Sequence, residues 1–175
     1  MKKGGVHLYP KAYIEYLLHF HATRDYFECH EVLEEHWKQT KEHIWIGLIQ
    51  LAVGMYHYRR GNIAGAKRMF TKAMRACQRE KQAYEALGIH VEQLVSLLHT
   101  YVKRIDDGQP YESICLPIHD ISLLHICQQQ CDVEGLVWGE KSDMSNEYII
   151  HKHKLRDRSD VVAERERQKQ KRQGR

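Results

Sequence analysis

With 175 residues, 42% of them apolar, the chain has the length for one domain and enough apolar side chains for one packed core. Its longest apolar run, 44–56, includes Gln50 and falls short of the about 20 residues that a membrane span requires, so it reads as a buried core helix. The net charge of +4 is not spread evenly. Residues 152–175 carry ten Lys or Arg and four Asp or Glu, a net +6, which leaves the body at −2.

The start, MKKGGVHLYP, shows no apolar segment of the kind a secretory leader needs. Five cysteines without paired spacing fit free thiols in a reducing cytoplasm. Pro10 suits a first helical turn, and a helix is expected to about Ala22. Thr23 or Asp25 can cap a second helix over about 25–40, and a third is expected over about 43–60. Gly61-Asn62 tolerates the backbone of a turn. A fourth helix carries Ile63, Ala66, Phe70, Ala73, Met74 and Cys77 at helical spacing and continues to about Ala86. A fifth, 89–105, aligns Val91, Leu94, Val95, Leu98, Val102 and Ile105 before Asp107-Gly108-Gln109-Pro110 stops it.

This pattern predicts an all-α fold, an antiparallel bundle of about five core helices within residues 1–110. Residues 111–146 read as a less regular extension, with 113–118 extended, a short helix over 121–130 and a loop after Gly135. Residues 147–175 read as a basic tail, helical or disordered.

At 100° per residue, His30, Leu33 and Trp37 share one face of the second helix, with Glu34 beside it and Glu31 at its rim. On the third helix Gly47, Gln50, Val53, Gly54 and His57 share a face, and the two glycines imply a closely approaching helix, taken to be the second. His30, Glu31, Glu34, Trp37, Gln50 and His57 are the candidate site. A buried polar network that sets helix register is one reading of them. A divalent-cation site formed by His30, Glu34 and His57 is another, with imidazole and carboxylate as ligands. A small-ligand pocket walled by Trp37 or Trp45 is a third. HEVLE is not the HExxH zinc-protease pattern, since position 34 is Glu.

Phe27, Cys29-His30-Glu31, Leu33-Glu34-Glu35, Trp37, residues 47–52 (GLIQLA), His57 and Arg60-Gly61-Asn62 resemble the signature of domain-of-unknown-function family 309. The resemblance covers about residues 10–100, implies an all-helical fold and implies no activity. Its emphasis falls on the same six candidate residues. Gly54, Gly61, Ala66, Phe70 and Ala73 also resemble a tetratricopeptide helix hairpin, although His57 stands where Tyr is usual and no 34-residue repeat flanks it.

Cys115, His119, His125, Cys127 and Cys131 are crowded but lack zinc-site pairing and read as packing residues. No phosphate loop, nucleophile elbow or dinucleotide fingerprint is present. The expected function is that of a cytoplasmic, non-catalytic interaction or scaffold protein with a protein partner and no membrane attachment. Metal binding, with or without metal-dependent catalysis, is the alternative, and weak RNA association through the tail is a third.

Overall fold

Pro10 opens the first helix, where its missing N–H costs nothing, and its carbonyl accepts from the backbone N–H groups of Tyr13 and Ile14. The computed structural model describes residues 9–156 and 159–173. The expected absence of a leader lies outside the described residues, as do positions 157–158 and 174–175 of the tail.

The protein is all-helical. It consists of α1 (Lys11–Leu18), a π-helical turn (His19–Thr23), α2 (Tyr26–Thr40), α3 (Ile44–Arg59), α4 (Ile63–Arg79), α5 (Lys81–Ala86), α6 (Val91–Asp106), α7 (Ile121–Glu134), α8 (Glu147–Ile150), α9 (Lys152–Leu155) and α10 (Ser159–Gln173). Among the described residues the one β pairing is an isolated antiparallel bridge between Ile89 and Ile118.

Side-chain caps start several of the helices. Asp25 accepts from the Glu28 N–H to start α2, Asn62 from Gly65 to start α4, and Asp120 from Ser122 and Leu123 to start α7. The stretch expected as one helix over 63–86 divides at Glu80, whose ψ of 38° breaks the helical ladder. Ile63, placed on the apolar stripe by periodicity, is exposed; the buried face of α4 is Ala66, Phe70, Ala73, Met74 and Cys77.

The central helix is α3, which is buried nearly all round and packs on both α2 and α4. Its glycines serve α4 and α5 rather than α2. A Cβ at Gly54 would stand 2.6 Å from the Phe70 ring, and one at Gly47 would meet Ala76 at 2.9 Å and the Tyr84 hydroxyl. Adding a methyl at 54 therefore crowds a core ring, a cost of about 1–3 kcal/mol. It recovers roughly 1 kcal/mol of helix propensity. Gly54→Ala is expected to lower stability by about 1 kcal/mol net, and Gly54→Leu by about 3 kcal/mol, in urea titrations.

Residues 111–146 pack into the same core. Ile114, Leu116, Leu123, Cys127 and Cys131 are buried, and α7 runs to Glu134, where Gly135 adopts φ 68°. His90 donates its N–H to Pro117 and His119 to Gly88, which seats the connecting segment across the start of α6. The segment 147–156 follows as two short helices, with Ile150 buried.

Candidate functional site

Among the candidate side chains the tightest cluster centres on His30. Its Nδ1 lies 3.0 Å from Glu31 Oε1 and its Nε2 3.0 Å from Glu34 Oε2. Lys38 Nζ reaches the other Glu34 oxygen at 2.9 Å, and that hydrogen bond, with His30 adding to it, holds the Glu34 carboxyl below its usual range. His30, Glu31 and Glu34 bring one ligand atom each within 4.8 Å of one another. His57 is not part of that group. The two carboxylates grip opposite nitrogens of one ring, so a cation placed here would have to displace one of these contacts.

The network that periodicity joined across two helices divides in the structure. Trp37 packs against the core with its indole N–H buried and unpartnered and with Lys41 Nζ 5.3 Å from its ring. Gln50 buries its carbonyl oxygen without a partner. His57 pairs with neither; its Nδ1 meets Asn62 Nδ2 at 3.1 Å. Because Asn62 Oδ1 accepts the Gly65 N–H as a helix cap, its amide must donate to His57, and the neutral ring carries its proton on Nε2. Burial lowers the His57 pKa, and Arg60, Arg68 and His153 lower it further.

His30 and His57 nevertheless meet at one place. Both line a cavity of about 280 Å³ between α2 and α3, together with the apolar side chains of Tyr26, Phe27, Val53 and Tyr56 and the polar ones of Arg60 and His153. His153 comes from the end of the chain. Its N–H lies 3.3 Å from the Tyr56 hydroxyl, its ring meets Phe27 edge-on, and the Arg156 guanidinium carbon lies 5.3 Å from the centre of the Phe27 ring. The Lys152 ammonium anchors this segment on Asp25 at 2.6 Å and Glu28 at 2.9 Å. By sequence alone His153 is one of several scattered histidines, solvent-side or packing, and no local spacing could link it to His57. Arg60 is adjacent to the Gly61-Asn62 turn, a position visible in the sequence.

The cysteine and histidine crowd after residue 114 does not assemble a ligand set. Cys127 and Cys131 are in the core, His119 bonds Glu85, and the Arg24 guanidinium lies 3.8 Å from the Cys115 sulfur. Burial raises the thiols of Cys77 and Cys127 to about 12, which makes them inert packing groups.

A relative from Bacillus subtilis (strain 168), named Uncharacterized protein YpuF, is 48% identical over 165 residues, covering 92% of this chain and 95% of the relative. The family described as Domain of unknown function (DUF309) matches residues 13–69. The chain belongs to this DUF309 family. No solved structure matches it. The DUF309 match spans α1 to the middle of α4 and so includes His30, Glu31, Glu34, Trp37, Gln50 and His57, whereas His153 lies beyond it. Among the described residues no helix is long and apolar enough to cross a membrane.

Proposed function

We propose that this DUF309 chain is a non-catalytic, cytoplasmic interaction protein whose recognition surface is the groove between α2 and α3. The observation that carries this reading is the cavity itself: an open space with an aromatic floor and polar rim, built by three separate parts of the chain. His30 is then a rim group oriented by Glu31 and Glu34, Trp37 and Gln50 belong to the helix contact beneath it, and His57 is a wall.

A benzophenone side chain in place of Phe27 tests this. Irradiation in cells is expected to yield a discrete adduct with another molecule, and Val53→Trp, which fills the cavity, is expected to abolish it. Labelling confined to the protein's own residues 147–156 would mean that the groove is filled internally and would end the proposal.

The grouping of His30, Glu31 and Glu34 favours a second reading, a divalent-cation site. In it His30 and Glu34 are ligands, Glu31 a ligand or base, and His57 can join only by giving up its Nε2 proton or its bond to Asn62. Elemental analysis of untagged protein separates the two: about one equivalent of metal, lost in His30→Ala, supports the cation, and under about 0.1 equivalent removes it. Residues 163–171 of α10 are exposed, and Glu164 pairs with Arg167 within the helix, so the tail offers RNA a positive charge that is partly neutralised.

A further inference from the structure

The lining of the α2/α3 cavity is one-sided in its chemistry. Its apolar part is Tyr26, Phe27, Val53 and Tyr56, and every other group on it is an imidazole or a guanidinium. Among the described residues no carboxylate lines it. The two nitrogens of His30 are already held by Glu31 and Glu34 outside the cavity lining, which leaves that ring's face as its contribution. Arg60 lies with its guanidinium carbon 5.5 Å from the Tyr56 ring centre and makes no ion pair among the described residues. His57, with its proton on Nε2, is a donor even when neutral. Its surroundings are Arg60, Arg68 and His153, all positive or able to become so.

Arg60, which has no carboxylate partner among the described residues, and His57, whose partner is the Asn62 amide, stand beside apolar side chains as half of a recognition site. We propose that this cavity binds a small organic anion, its apolar body on Tyr26, Phe27, Val53 and Tyr56 and its carboxylate or phosphate at Arg60 and His57. The inference rests on the groove being the working surface of the protein and names the chemistry of its occupant. The space of about 280 Å³ is room for a ring with one charged substituent.

The test uses the full chain and four probes: benzoate, phenyl phosphate, benzylamine and inorganic phosphate, followed by amide chemical shifts and calorimetry. Benzoate or phenyl phosphate is expected to saturate one site and to shift the amides of residues 26–30 and 53–60. Benzylamine, with the same ring and opposite charge, and inorganic phosphate, with the charge and no ring, are expected to bind at least about tenfold more weakly. Arg60→Gln is expected to weaken the better anion by at least about tenfold without changing the far-ultraviolet spectrum, and His57→Asn to weaken it by less. Equal binding of benzylamine, equal binding of inorganic phosphate, unchanged binding in Arg60→Gln, or no binding of either aromatic anion would each overturn the proposal. If the Phe27 cross-linker yields a foreign adduct while the probes fail, the groove stands and the anion is wrong. If the probes behave as expected and no adduct with another molecule forms, the anion stands and the interaction reading fails.

Discussion

Arg59→Ala is expected to cost about 3–4 kcal/mol of stability, because it removes a buried cation that joins three separated parts of the chain. The Arg59 side chain donates from Nη1 to the Arg24 carbonyl at 2.6 Å and to Ser142 Oγ at 3.2 Å, and from Nη2 to the Ile149 carbonyl at 3.3 Å. Its guanidinium carbon sits 4.6 Å from the Tyr26 ring centre. Truncation leaves the Arg24 carbonyl without this donor in a buried setting and releases residues 142–149 from α3. Arg59→Met keeps much of the stem's packing, so the difference between the two variants isolates the polar part. Urea titration measures the stability. Limited proteolysis between residues 140 and 150, expected to speed up in both variants, shows that the segment carrying the His153 wall has come loose. Equal stability of the wild type and Arg59→Ala would show that these bonds only replace those made to water.

The second large effect concerns acid. His21 is completely buried, its Nδ1 2.8 Å from the Leu17 carbonyl and its Nε2 accepting the Leu116 N–H at 2.9 Å. Its ring stacks on Trp138 at 4.2 Å. One nitrogen must donate and the other accept, so the folded state needs the neutral ring. Burial is the main cause that lowers its pKa to about 3. An unfolded histidine takes a proton near pH 6.5, so protonation favours the unfolded chain. The neutral ring's contribution is complete above about pH 6.5 and is lost progressively as the pH falls toward 3, about 2 kcal/mol by pH 5 and on the order of 5 kcal/mol in total. His21→Gln is expected to be less stable at pH 7 and to lose up to about 1.4 kcal/mol per pH unit of slope within that window. An unchanged slope would mean that other groups govern acid unfolding.

Both effects lie in contacts that no stretch of sequence announces. Arg24 and Arg59 look like ordinary cations at helix ends. Yet Arg24, at φ 56°, donates to the carbonyls of Phe20, Ile114 and Glu140, and its own carbonyl receives Arg59. The partners lie 90 and 116 residues away, beyond the reach of helical periodicity. The candidate site shows the same division. His30 and Glu34 are four residues apart on one helix, so their contact is a local fact and could be read from spacing. The pairing of Gly54 with Phe70 and of His57 with Asn62 involved a choice among neighbours. Periodicity gives the direction in which a side chain points but not which element waits there, and the glycines accordingly face α4 and α5 rather than α2.

The sequence by itself determined the all-helical class, most members of the apolar stripes and the turn at Gly61-Asn62, because propensity, capping and a 3.6-residue period act within a few residues of chain. It determined that His30 and Glu34 share a surface. Only the tertiary structure decided that 111–146 joins the core, that Arg24 and Arg59 replace water with carbonyls, and that His153 closes a cavity with His57. Those outcomes depend on long-range packing, whose favourable term is the burial of apolar surface and is blind to sequence separation.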